Sequence, residues 1–495
     1  MCEDAPRAVR ELEAWGVPFS RDENNDIYQR PYGGQTVEYG KAPAYRACAA
    51  EDRTGQAIMQ TLYKKATALP VDFFCEFFAL DLLFSDEGSC TGILAWELAT
   101  GELHHFTARN TILATGGYGQ VYGATTAASV CTGDGNGMAL RAGLPLQDME
   151  FVQFHPTGLT NTGILITEGA RGEGGTLHNG SGERFMQHYA PSSMELASRD
   201  VISRAMIQEM QAGRGCGPEG NYMELRLDHL PDDVFEEKLP YITSIIETFA
   251  GLDPRKDPIP VIPTVHYTMG GIPANSGSAI MCDADDKQVA GLFAIGEAAC
   301  NSTHGANRLG CNSLLDLIVF GKDAGEQAAE AKSFMHAASD KSVERAIAQF
   351  DALRTGECKR SPREIRKKVQ SIMLEHAPIY RSGETLEKGL CKLQNLFEET
   401  RKGYALHNTD TTWNVDLANA IETDNLLRQA IVTMASALHR TESRGAHTRE
   451  DYPERNDNVW LHHTLARLEE DGTVSFSQRD VRVLEENFPP EARIY

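Results

Sequence analysis

The chain has no CxxC pair among its 11 cysteines. Without clustered thiolates, neither a structural zinc nor an iron–sulfur site finds its ligands, and no metal site is expected. Isolated thiols of this kind suit a reducing compartment. The chain has no apolar run near the ~20 residues that a membrane span requires. It shows no secretory signal and no Arg-rich amphipathic presequence. It is poor in positive charge: 47 Lys and Arg stand against 70 Asp and Glu, a formal charge of -23. A nucleic-acid backbone demands clustered Lys and Arg, so no nucleic-acid partner is expected. Direct adhesion to an anionic membrane surface is excluded on the same ground. The chain also lacks the glycine-rich turn between strand and helix that seats a dinucleotide pyrophosphate. The one formal GxGxxG match, Gly215, Gly217 and Gly220, follows a helical stretch, contains Pro218 and reads as a helix-ending loop.

What is present is an ordinary globular composition, 41% hydrophobic and 24% charged over 495 residues, long enough for about three domains. Apolar spacing predicts a helix over 4–15 ending at Gly16, and a second over 52–65 with Asp52 as candidate N-cap. Residues 30–49, with Gly33-Gly34 and two prolines, read as loop. Strand-like stretches at 73–83, 91–97 and 104–107 lead into 111–115, which leaves through Gly116-Gly117. The run Gly133-Asp134-Gly135-Asn136-Gly137 precedes a helix over 138–142. Helices follow at 198–211 and 231–247, then a strand–loop–helix unit over 291–328. Residues 340–440 are mostly helical by period, and a charged, loop-rich tail begins at 441.

Four separated motifs hold the polar chemistry: FHPTG (154–158), ITEGARGEGG (166–175), PTVHYTMGG (263–271) and HGANRLGCNSLLD (304–316). They bring His155, Thr167, His266 and Arg308, joined by Arg199. Arg offers bidentate charge-assisted pairs, and Thr and His add shorter-range donors. Such a set suits a small dicarboxylate, which needs donors at both ends. A lone His in an apolar segment is usually a satisfied core residue, but His155 and His266 sit in glycine- and proline-flanked segments. Glu168, Arg171 and Arg199-Asp200 read either as surface salt bridges or as a buried Arg–Glu–Arg chain that moves a proton. Asp134 between glycines and Glu297 after an apolar strand read either as cofactor contacts to hydroxyl groups or as helix-cap and turn residues.

At these residues the chain resembles the flavoprotein subunit of succinate dehydrogenase, within the fumarate reductase and aspartate oxidase superfamily. The likeness covers essentially all 495 residues, from 4–6 and 15–21 through 114–119 and the four motifs to 441–452. It implies an α/β, two-dinucleotide-binding flavin fold with an inserted capping domain, a helical domain and a C-terminal domain. The implied divisions are 1–150 and 266–325 for the FAD-binding domain, 151–265 for the cap, 326–440 for the helical domain and 441–495 for the last. It implies FAD as cofactor, with contacts from Asp134, Glu297, Ser313 and Leu314. It implies succinate and fumarate as ligands of His155, Thr167, His266 and Arg308. Arg199 would exchange the substrate proton, with Glu168 and Arg171 as its relay. Electrons would leave through a separate iron–sulfur subunit, with membrane anchor subunits beyond it, on the matrix side of the mitochondrial inner membrane or the cytoplasmic face of a bacterial one. The alternatives within the resemblance are L-aspartate oxidase, fumarate reductase and an inactive fragment. The family's opening strand–turn–helix and its flavin-linked histidine have no counterpart here, a gap of at least ~30 residues for one βαβ unit. An internal methionine taken as the start explains this, or a separate chain carrying the N-terminal FAD segment. An incomplete parallel sheet is then expected to leave an unpaired apolar edge.

Overall fold

The computed structural model describes residues 1–38, 41–331, 336–356 and 358–482. Helices Ala5–Trp15 and Thr54–Ala66 form where the apolar period predicts them. Gly16 closes the first in the left-handed conformation, its N–H donated to the Leu12 and Glu13 carbonyls.

Between them, the segment expected as loop is a hairpin, Gln29–Val37 against Ala42–Cys48. Its pairing shifts register at Pro31 and again before Thr36, so the ribbon accommodates the proline and Gly33-Gly34 at irregularities. Irregular pairing erases the period-2 signature that marks a strand in sequence.

Asp52 is a second correction. Arg53 holds the cap position of Thr54–Ala66, with no side-chain cap bond. The Asp52 carboxylate instead accepts from the Tyr241 and Ile242 amides at 3.3 and 2.7 Å. These amides open helix Pro240–Ala250, where unsatisfied N–H groups attract an acceptor. The single helix expected over 231–247 is accordingly two pieces, a π-helical turn Val234–Lys238 and Pro240–Ala250. Pro240 has no N–H to continue the first piece and a φ already set for the start of the second.

Strands Phe77–Phe84, Cys90–Glu97 and Leu103–Thr107 form an antiparallel meander. Thr111–Leu113 lies parallel to Gln288–Ala294, which pairs in turn with Ala279–Met281. Among the described residues Thr111–Leu113 has no second strand neighbour, and Ile112 is 37% exposed there. The helix after Gly133 starts earlier than expected, at Asp134, and runs to Arg141.

A four-stranded antiparallel sheet, ordered Val152–Leu159, Ile259–Thr268, Met223–Arg226, Thr176–His178, has an apolar core of its own, including Leu159, Ile202, Leu225 and Val261. A larger core joins the meander to helices Asp340–Arg354, Pro362–His376, Gly383–Thr400 and Val415–His439. Val415–His439 is buried on nearly all sides, so its polar residues need internal partners. Asn425 Nδ2 donates to Asp134 Oδ1 at 2.8 Å, and Gln429 Nε2 to the Thr132 and Gly133 carbonyls. The tail's strand His462–Leu468 pairs with Val474–Asp480 and with Leu146–Gln147.

Replacing Asp52 with Ala removes the acceptor from two helix-opening amides. The expected loss is about 1–2 kcal/mol, read by denaturant titration, with faster amide exchange at Tyr241 and Ile242. Unchanged exchange at both amides would show that the carboxylate does not hold that helix end.

Candidate active site

Two neighbouring strands, Val152–Leu159 and Ile259–Thr268, set the first two donors. Thr264 pairs with His155 and Tyr267 with Gln153, and a register shift falls between Val265 and Tyr267. That irregularity re-aims His266, whose ring centre lies 4.9 Å from that of His155. The Thr157 amide donates to His155 Nδ1 at 3.2 Å. The ring proton therefore sits on Nε2, which is buried without a protein partner. His266 Nδ1 is bonded to Thr126 Oγ1 at 2.7 Å. Burial first, and the Arg199 charge next, hold both imidazoles well below their ordinary pKa. Both are neutral hydrogen-bonding groups at physiological pH.

Arg199 opens helix Arg199–Gln211. Its Nε and Nη2 donate to Glu168 Oε2 at 2.8 and 2.6 Å, and its Nη1 to Gln153 Oε1 at 3.1 Å. Glu168 begins the short helix Glu168–Gly172, capped by Thr167, whose Oγ1 accepts from the Gly169 amide. The other Glu168 oxygen accepts from the Gly33 amide at 2.7 Å. Burial opposes the Glu168 charge, but Arg199 and Arg171 outweigh it and lower the pKa. Arg171 approaches Glu168 Oε1 only to 3.6 Å, beyond a hydrogen bond. It donates instead to the Glu195 carbonyl at 2.5 Å, and burial lowers its pKa. Side-chain exposures of 6% for Arg199 and 0% for Glu168 and Arg171 rule out surface salt bridges.

Arg308 is 3% exposed, and burial brings its pKa down to about 10. Its guanidinium lies 4.5 Å over the Tyr267 ring, and Nη1 donates to Ser313 Oγ at 2.9 Å. Nε has no protein partner.

The expected flavin contacts fall in several places. Asp134 Oδ1 accepts from Thr132 and Asn425 in the first turn of Asp134–Arg141. Glu297 Oε1 accepts from the Thr268 amide and hydroxyl at 2.9 and 3.2 Å, and burial pushes the carboxyl up to about 7. Ser313 and Leu314 lie in the first turn of Asn312–Glu330. The Ser313 hydroxyl is engaged by Arg308, and the Leu314 side chain packs with Leu12, Val17 and Ile58. A cavity of about 840 Å³ borders the adjoining loop at Asn301, Ser302 and Gly305, and reaches Arg440 and His463.

Both amide atoms of Asn136 and both ring nitrogens of His304 are buried without a protein partner. Buried polar atoms are rarely left unsatisfied, and a ligand rich in hydroxyl and ring-nitrogen groups, such as FAD, fits them. Sequence reasoning passed over Gln153, Tyr267, Thr126, Gly33 and His304. Gln153 directly precedes FHPTG, while Tyr267 and His304 lie inside quoted motifs, so proximity was an available signal for these three. Thr126 and Gly33 carry none.

Neutral imidazoles, buried guanidiniums and these flavin-suited groups define a flavoprotein of the FAD-binding class. The family described as FAD binding domain matches residues 1–314, and that described as fumarate reductase flavoprotein C-term matches 366–495. The succinate dehydrogenase flavoprotein subunit of Rickettsia bellii is 51% identical across 100% of this chain and 85% of its own length. The mitochondrial succinate dehydrogenase flavoprotein subunit of Oryza sativa is 49% identical, with 100% and 80% covered. A quinol fumarate reductase structure from E. coli superposes with a TM-score of 0.91 at 37% identity, covering 100% of this chain and 84% of that one. The chain belongs to the succinate dehydrogenase and fumarate reductase flavoprotein family, and FAD is its cofactor.

Glu297 gives a pH-dependent test. Its folded pKa of about 7 lies above the ordinary 4.5. The folded state therefore holds its proton more tightly, and stability falls as pH rises from about 4.5 through 7. Glu297→Gln removes this loss, by up to about 3 kcal/mol at pH 8 and by nothing at pH 4. The expected reading is a higher Tm for flavin-free variant than wild type at pH 8 alone; equal Tm differences at both pH values would contradict the assignment.

Proposed function

We propose that the chain oxidises succinate to fumarate as the flavoprotein subunit of a succinate:quinone oxidoreductase. The observation that supports it most is the charge count of the buried cluster. Arg171, Arg199 and Arg308 stand against Glu168, while nearby Glu195 is matched by Arg184. Glu297 and Asp316 also act on Arg308, with burial pushing their carboxyls up to about 7 and about 6, so the cluster keeps a positive surplus for an anionic ligand. With a chain charge of -23, this local surplus is what draws an anion inward.

In this reading Arg308 and His266 hold one carboxylate, while His155 and Thr167 hold the other. The neutral His155 donates from Nε2, and the Tyr267 ring fixes the plane of Arg308. FAD supplies the hydride acceptor. Arg199 gives a guanidinium proton to Glu168 Oε2, to which it is already doubly bonded, and the neutral guanidine then takes the proton from the neighbouring carbon. Arg171 is the next group along, across the 3.6 Å contact. Asp134, Glu297, Ser313 and Leu314 serve the flavin, and residues 151–265 form a cap whose separate core supports that division. Electrons pass to an iron–sulfur subunit and on to membrane-anchored subunits, at the matrix face of the mitochondrial inner membrane or the cytoplasmic face of a bacterial one. No described helix is long and apolar enough to cross a membrane, so anchoring by partner chains accords with this placement.

Succinate-dependent dye reduction by the flavin-loaded protein is the direct test. Arg199→Gln is expected to lower kcat by ~10³-fold, within the span of a lost proton-transfer group, with flavin content kept. Arg308→Met is expected to raise KM by at least ~10-fold through loss of a charge-assisted pair. No reduction by wild-type protein carrying flavin would overturn the reading, and aspartate turnover with peroxide release would replace it by L-aspartate oxidase.

A further inference from the structure

Gln153 is fully buried between the two arginines of the site. Its Oε1 accepts from Arg199 Nη1 at 3.1 Å. Its Nε2 donates to the Arg308 carbonyl and to Asn307 Oδ1, each at 2.7 Å. Both amide protons and one oxygen lone pair are therefore used, and the orientation of the amide has no alternative. A flipped amide would aim N–H at a guanidinium and oxygen at two acceptors. Asn307 continues the connection, its Nδ2 donating to Asp200 Oδ1 at 2.7 Å, on the residue following Arg199. Strand Val152–Leu159, helix Arg199–Gln211 and the loop bearing Arg308 thus meet at one side chain.

We infer that Gln153 is a positioning residue, which fixes the separation between the proton-exchanging Arg199 and the carboxylate-binding Arg308. The inference rests on the reading of Arg199 and Arg308 given above. A neutral amide suits the task for a definite reason. It supplies Arg199 with an acceptor that directs Nη1 without adding a second carboxylate to the one that Glu168 already provides. A carboxylate there would tighten the hold of Arg199 on its proton and would repel the Arg308 carbonyl. An apolar side chain would release both arginines. The first change acts chiefly on proton exchange and the second on both proton exchange and binding.

The test compares wild type, Gln153→Glu and Gln153→Met as flavin-loaded holoenzymes, with succinate kinetics normalised to bound flavin across pH. Gln153→Glu is expected to lower kcat by at least ~10-fold and to move the kcat profile toward alkaline pH. Gln153→Met is expected to lower kcat and raise KM together, each by ~10-fold or more, and to move the profile toward acid pH. Asn307→Leu, which breaks the links through Asn307 but leaves the direct Gln153 bonds to Arg199 and to the Arg308 carbonyl, is expected to raise KM with the profile in place. Opposite pH displacements cannot come from a loss of folded enzyme. The inference is overturned if Gln153→Glu and Gln153→Met, normalised to flavin, keep the wild-type KM and pH profile. It is equally overturned if both profiles move in the same direction. If wild type itself does not oxidise succinate, the functional reading fails first, and the variants are not needed to show it.

Discussion

The buried pair of Arg199 and Glu168 is the constraint around which the site is arranged. Removing two charges from water costs several kcal/mol per ion unless every lone pair and proton finds a partner. Here the partners come from four different parts of the chain. Glu168 Oε2 takes two bonds from Arg199, and Oε1 takes the Gly33 amide. A third Arg199 N–H goes to Gln153. The hairpin Gln29–Val37/Ala42–Cys48, the strand bearing Gln153, the short helix opened by Glu168 and the helix opened by Arg199 must all be in place together. A Cβ on Gly33 would come within 2.3 Å of Glu168 Oε1 and 2.7 Å of the Ala197 carbonyl, so that approach requires glycine there. The glycine of this stretch thus lets the hairpin backbone reach the buried pair.

A second level of organisation keeps this arrangement from drifting. The Arg308 loop is held from the C-terminal side, where the Ala446 amide donates to the Ala306 carbonyl. A Cβ on Gly445 would meet that carbonyl at 2.5 Å. Behind it, Arg440 joins Glu150 and Glu442 in a buried network, and Arg449 donates to the Ala437, Leu438 and Arg440 carbonyls. Helix Val415–His439 does the same for the turn that carries Asp134, which Asn425 and Gln429 grip. Residues between 425 and 449 thus act on the site by holding elements that come much earlier in the chain.

Much of this was legible in sequence. The Thr54–Ala66 helix, the meander and the helices between 340 and 440 follow from local apolar spacing, because each buries one face against whatever neighbour is available. The chemistry-bearing residues His155, Thr167, Glu168, Arg171, His266 and Arg308 were legible as types, since nearby glycines set them apart from core residues, and Arg199 stood out at a helix start. The hairpin at 29–48 was not, because its pairing is irregular. Asp52 was misassigned because a carboxylate beside one helix start binds the amides of another helix nearly two hundred residues away.

The sequence by itself determined the inventory: a set of His, Thr and Arg donors suited to a dicarboxylate, the resemblance to a flavoprotein family, and the absence of CxxC pairs. Those rest on residue type, order and local spacing, which a chain carries without folding. Only the tertiary structure decided which donors are charged and which carry a free proton-bearing nitrogen. Burial and the Arg199 field make His155 and His266 neutral, and the Thr157 amide chooses the tautomer of His155. It also decided that Arg199 and Glu168 form a doubly bonded pair while Arg171 stands off at 3.6 Å. Protonation, tautomer and hand-over distance depend on what lies within a few ångströms in space, and those neighbours come from segments that only the fold brings together.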